Sequence, residues 1–247
     1  AQTLYERLKV LTGNHITSLV IDDLLKSAVE IEQAVDDAFR TELFQISDPH
    51  RKVPAYDGLQ LINREVIIKY IRQLLETDRK LTPFSILGLE LPVKMPLEWT
   101  MVRGYIDRLD KITNPETGEE RIRVIDYKTG AKKQKDLPDV AAIFDPANVK
   151  DHSDYYLQTF LYSHIVRKNT NLPVSPVLLF IQYAGGEGYD PTLKLGKDPV
   201  RDIATASDEF MRLLTEKMSE IFCQDLAFSP TEDQERCRTC PYQMLCR

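Results

Sequence analysis

With 247 residues and 43% hydrophobic content, the chain can bury one sizeable core, and it has no apolar run long enough to span a membrane. Its formal net charge of -6 argues against a protein that coats nucleic acid non-specifically. Four cysteines without a secretory signal are not a disulfide-dense exported composition, which points to a reducing compartment, taken as the cytoplasm.

The first stretch reads as helical. Gly13, Asn14 and His15 read as a loop, with His15 a surface residue, ahead of a helix starting near Ser18. Leu19 to Phe44 carries apolar positions at helical spacing, and Leu59 to Leu81 does the same until Pro83 stops it, so residues 1–82 form a helical portion. A strand follows around Ile86 to Val93. In it Glu90 alternates with Leu89 and Leu91, the pattern of an exposed position on a half-buried strand.

Arg103 to Gly130, reading RGYIDRLDKITNPETGEERIRVIDYKTG, predicts a hairpin with Asp107 in its first strand and Asp126 and Lys128 in its second. Asn114, Pro115, Glu116, Thr117 and Gly118 supply turn chemistry, and Val124 and Ile125 mark the second strand as largely buried. Side chains alternate along a strand, so Asp126 and Lys128 share a face, roughly 6.6 Å apart along it, and Tyr127 points the other way. An Asp closing a buried apolar run is costly unless it is hydrogen-bonded or holds a metal, and the Lys beside it needs an anionic partner. A divalent ion bound to phosphate satisfies both, with Asp107 and Asp126 supplying hard oxygens for Mg²⁺ or Mn²⁺ and Lys128 orienting water or neutralising charge. The competing reading is a surface hairpin whose Asp and Lys form a solvated pair contributing at most ~1 kcal/mol.

Thr129 to Ser153 exceeds the usual length of a connection, which suits a lid or a substrate-guiding element. Lys128, Lys132, Lys133 and Lys135 make this segment basic, a phosphate contact or simply a solvated loop. In the following helix, Gln158 and Tyr162 are four residues apart and share a face; they can equally be the polar edge of a helix with Leu157, Leu161 and Ile165 on its apolar side. His164 on that helix receives no role. Val177 to Tyr183 reads as a buried strand broken by Gly185, Gly186 and Gly188, and Ile203 to Gln224 as the last helix. All four cysteines lie at the end, as Cys223, Cys237, Cys240 and Cys246, the last three in CRTCPYQMLC. Thiolates bunched so closely can converge on an iron-sulfur cluster or on zinc, which a reducing compartment favours over disulfides; the competing reading is unliganded thiols.

The pattern GYIDRLD followed by VIDYKTG resembles the core motifs of the RecB-like branch of the PD-(D/E)XK nucleases, including AddB-type subunits. The resemblance implies an α/β, restriction-endonuclease-like fold with a central mixed sheet flanked by helices. One nuclease domain would span 1–247, its core over 83–222 and a Cys-rich tail over 223–247. Asp107 matches the metal-binding Asp of a G-x-x-D motif, Asp126 and Lys128 the D-x-K pair, Glu90 an upstream acidic residue, and Gln158 and Tyr162 a Q-x-x-x-Y motif. The resemblance further implies a Mg²⁺-dependent deoxyribonuclease, exonuclease-like, acting on DNA with a helicase partner in recombination or repair. A nuclease-fold module without activity, binding DNA or a helicase, is the alternative. The C-x-x-C-x5-C tail resembles the C-terminal part of a 4Fe-4S staple whose first cysteine, like a metal-binding His, precedes the core in that family. Neither element is found before Cys223, so the chain is expected to be a fragment beginning inside an amphipathic helix. Cys223 either completes the cluster or is a small apolar residue on its helix.

Overall fold

The computed structural model describes the chain apart from residues 49, 115, 131–134, 185, 187, 228–230, 232–236, 239 and 246–247. Helix α1 (Gln2–Thr12) buries Leu4, Tyr5 and Leu8 and ends at Gly13, whose φ of 62° only glycine adopts without strain. The chain then pairs His15 and Ile16, as strand β1, with Ser85 and Phe84. Of the stretch expected to be a loop, Gly13 and Asn14 form a turn, and His15 with Ile16 forms a two-residue edge strand, too short for a period to reveal it.

The single helix expected over Leu19 to Phe44 is broken. Helix α2 (Ser18–Lys26) stops at Ser27, whose hydroxyl accepts from the Glu30 amide and caps α3 (Ala28–Ala38). The apolar spacing runs through the break because both helices present the same side to the core; the serine is the stop signal. Helix α4 (Gly58–Leu81) opens on a capping box in which Asp57 and Gln60 satisfy each other's backbone amides.

Strands β2 (Phe84–Pro96), β3 (Met101–Thr113), β4 (Glu120–Lys128) and β5 (Val174–Phe180) complete a five-stranded sheet in the order β1-β2-β3-β4-β5. Neighbours run antiparallel except β4 and β5, which are parallel and joined through helix α5 (Ser153–Arg167). One face carries α1 to α4 over Phe84, Ile86, Ile125, Val177 and Leu179; the other carries α5 and α6 (Ala204–Phe222) over Leu109, Val124, Leu178 and Phe180. Two short strands, β6 (Lys194–Leu195) and β7 (Asp198–Pro199), form a separate hairpin.

The β2–β3 pair does not stay flat. Leu89 and its partner Arg108 pack toward the N-terminal helices, whereas Leu91 and its partner Ile106, two residues along, pack toward α5. In a regular strand such residues share a face. The reversal sits at Glu90, held at φ 46°, three residues after a bulge between Ile86 and Gly88. Beyond it the two strands leave β4, which pairs with β3 only from Arg108 to Thr113, and continue as a two-stranded arm.

The segment expected to be a lid is packed where it is described. Leu137, Val140 and Ile143 are buried in the α5 side of the core, and Leu137 bridges to Leu195. Strand β5 also starts and ends three residues earlier than expected, with Tyr183 in the turn after it. Among the described residues, no helix is long and apolar enough to cross a membrane.

Candidate active site

Strand β4 lies between β3 and β5, so its apolar residues Val124 and Ile125 are fully covered and its end emerges at the sheet's C-terminal edge. Asp126 stands there almost wholly buried, with its Oδ2 2.6 Å from Lys128 Nζ. Tyr127 points to the opposite face, where its ring lies 5.7 Å from the Arg108 guanidinium. Asp107 enters from β3 one residue past the last β3–β4 pair, Arg108 with Ile125. Its Oδ2 accepts from the Tyr127 amide at 2.8 Å, so a carboxylate takes over as acceptor where the ladder ends.

Three carboxylates press on one another here. Burial raises Asp126 above the ordinary carboxylate range; Lys128 opposes that shift and Asp107 adds to it. Burial also raises Asp107, against the Tyr127 amide and Lys128. Glu90 is raised by burial and by Asp107. A cation shared by Asp107 and Asp126 would relieve the repulsion between that buried pair. The hard oxygens of Asp107 and Asp126 suit Mg²⁺ or Mn²⁺, which take one or two protein carboxylates with water and substrate phosphate. Among the described residues no three His, Cys, Asp or Glu side chains converge on one point, so a cation would rest on this pair.

Helix α5 closes the other wall. Gln158 Oε1 accepts from Lys128 Nζ at 3.3 Å, and the ammonium sits 4.3 Å from the centre of the Tyr155 ring. One turn on, Tyr162 packs against Gly104, and a Cβ at position 104 would overlap its hydroxyl and ring. Glycine in the strand makes room for the tyrosine. The structure thus gathers Asp107, Asp126, Lys128 and Gln158, with Glu90 beside Asp107 and Tyr162 one turn away behind Gly104. Sequence reasoning missed Tyr155 and the role of Gly104. The signals were a tyrosine three residues before Gln158 and a lone glycine inside a strand.

The profile of the PD-(D/E)XK nuclease superfamily matches residues 6–247. The chain belongs to that superfamily. Comparison with curated proteins finds no match. The mixed sheet with helices on both faces and an N-terminal helical part fits the restriction-endonuclease-like fold of PD-(D/E)XK nucleases.

Other expected features of this PD-(D/E)XK chain do not join the site. Lys135 pairs with Asp151 at 2.9 Å, and Lys132 and Lys133 lie outside the described residues, so of the expected basic cluster Lys128 is the member placed at the site among the described residues. His15 is exposed on β1, near Ser85. His164 is buried and its Nδ1 lies 3.0 Å from Ser207 Oγ, linking α5 to α6. Cys237 and Cys240 are half-exposed free thiols, Cys223 is exposed at the C-cap position of α6, and Cys246 lies outside the described residues.

Behind the site lies a buried ion network absent from the sequence reading. Arg108 donates to both oxygens of Asp78 at 2.5 and 2.8 Å, and Arg123 to both of Asp110 at 2.7 and 2.8 Å. Arg108 Nε also lies 3.2 Å from Asp110, and the Tyr5 hydroxyl donates to Asp78. Burial alone would lower the Arg108 pKa; the carboxylates outweigh it and hold the guanidinium well above its ordinary value. The network ties α1 and α4 to the strand that carries Asp107.

Proposed function

We propose that the chain is a metal-dependent DNA nuclease that hydrolyses phosphodiester bonds in an exonuclease-like manner, working with a helicase in recombination or repair in the cytoplasm. The observation that carries the nuclease reading is the meeting of Asp107, Asp126 and Lys128 on one face, with Gln158 holding the lysine. The helicase and the pathway rest on the resemblance to RecB-like proteins.

Asp107 and Asp126 are the proposed metal ligands. When bound, a divalent cation polarises the phosphate and acidifies a water. Lys128 has three N–H donors; one reaches Gln158 and one faces Asp126, which leaves one for the attacking water or a phosphate oxygen. Gln158 fixes that orientation without titrating. The Tyr155 ring adds a cation–π contact of about 0.5–1 kcal/mol that helps hold the ammonium in place. Water oxygen bonds to phosphorus and gives its proton to solvent, and the ester bond breaks with the departing sugar oxygen taking a proton from solvent to become a hydroxyl. Glu90 adds negative charge beside Asp107, and Tyr162 holds β3 in place through Gly104.

Degradation of end-labelled linear DNA tests the reading. Lys128→Ala, Asp107→Ala and Asp126→Ala should each abolish cleavage, and the two Asp variants should also lose Mg²⁺ or Mn²⁺ binding. Cleavage that survives EDTA refutes the mechanism, and no cleavage of any DNA by the full-length protein favours an inactive DNA- or helicase-binding module. The tail is proposed to hold a 4Fe-4S cluster through Cys237, Cys240 and Cys246, with Cys223 or a cysteine outside this chain as the fourth ligand. That reading is supported by the C-x-x-C-x5-C spacing. Full-length protein purified without oxygen should contain iron and acid-labile sulfide; zinc without iron refutes the cluster.

A further inference from the structure

The arm formed by β2 and β3 beyond Glu90 is two-faced. Leu91, Val93 and Met95 with Val102, Gly104 and Ile106 turn inward, over α5. Pro92, Lys94, Pro96, Met101, Arg103 and Tyr105 alternate with them on the outer face and are exposed. Tyr105 is 62% and Met101 42% exposed on this face.

The outer face is also charged in a way the fold does not need. Lys94 stands directly opposite Arg103, and like charges in that position destabilise a strand pair. Neither makes an ion pair among the described residues, and Glu98, at the arm's turn, is the single carboxylate between Leu91 and Ile106. On a chain of net charge -6, this is a cationic strip with an aromatic ring in it.

Position and rigidity point to its use. Tyr105 lies two residues from Asp107 along β3 and Arg103 four, roughly 6.6 and 13 Å at strand spacing. The arm is fixed: Trp99 at its turn stacks on Phe222 of α6 at 6.3 Å, Tyr162 fills the space at Gly104, and Met95 is buried. Pro92 and Pro96 remove amide donors from the β2 edge, which disfavours a partner protein adding a strand there.

We infer that this outer face is a track for single-stranded DNA, with Tyr105 stacking a base next to the reacting phosphate and Arg103 with Lys94 holding the backbone further out. The inference rests on the nuclease reading and specifies how its substrate approaches. A rigid ring followed by free cations is the combination that binds single strands without regard to sequence.

The test is fluorescence anisotropy of a labelled oligothymidylate in EDTA, which prevents cleavage, with melting curves to verify folding. Tyr105→Ala should weaken binding roughly tenfold while Tyr105→Phe retains it. The double variant Lys94→Gln, Arg103→Gln should reduce the slope of log Kd against log salt by about 1.4, from two lost phosphate contacts. Wild-type affinity and salt dependence in these variants overturn the track, as does an equal loss on blunt duplex for Tyr105→Ala. Cleavage that needs Lys128 but not the arm leaves the nuclease reading standing without the track. A wild-type protein that neither binds nor cleaves DNA removes both.

Discussion

Asp126 shows how far a sequence reading reaches at the scale of one residue. A charged side chain after Val124 and Ile125 announced a buried carboxylate, and Lys128 two residues on announced its neighbour. Asp107 was legible only through the spacing of its motif, because its acceptor role toward the Tyr127 amide depends on where the β3–β4 ladder ends. Both carboxyls have folded-state pKa values above those of the unfolded chain. Their contribution to stability is therefore complete below the unfolded value of about 3.9 and is lost as pH rises through the raised folded value. Ionised Asp126 opposes folding at neutral pH. Asp126→Asn should melt higher than wild type in metal-free buffer, by a margin that grows from pH 4 to pH 7. Mg²⁺ should raise the melting temperature of wild type and leave that of Asp126→Asn unchanged. A variant that melts lower at pH 7 would show that the ion pair with Lys128 outweighs burial.

Elements with a clean period were readable, and those shaped by distant partners were not. Helix α4 showed its start and stop, and α5 its Gln158 and Tyr162 on one face, because every signal lay within a turn or two. The reversal of β2 at Glu90 carries no such signal, since it answers packing on two opposite helical layers. Leu137, Val140 and Ile143 likewise read as a loop because no regular element connects them, although each fills the core. Gly104 joins two elements, and this can be measured. Gly104→Ala should cost about 1–3 kcal/mol from overlap with Tyr162, read from urea unfolding. Tyr162→Ala in that background should recover part of the loss, giving a coupling energy between sites 58 residues apart. Additive effects would mean that the two side chains do not meet.

At the scale of the whole molecule the sheet is the partition between two hydrophobic layers, and ions as well as apolar contacts fasten the N-terminal layer to it. The arginines and the aspartate of RLDK and RIRV are a hint, since charges inside a buried strand must be paired, but Asp78 as the partner of Arg108 lies a helix away. Arg108→Met leaves Asp78 buried beside a neutral chain and should cost on the order of 3–5 kcal/mol. The double variant Arg108→Met, Asp78→Leu should regain much of it, with Asp110 still held by Arg123. A single variant within 1 kcal/mol of wild type would show that the network is not needed to hold the helices.

Tyr127 has one further consequence. Its ring rests against Arg108 while its amide is committed to Asp107, so one peptide group touches both the fastening of the helices and the proposed chemistry. That peptide is a natural spectroscopic probe. In an amide NMR spectrum its proton should resonate far downfield, exchange slowly with deuterium, and shift with pH as Asp107 and the carboxylates coupled to it titrate. Asp107→Ala should erase the pH response, and titration with Ca²⁺ should move the same peak in wild type, reporting occupancy of the site without any bond being cleaved.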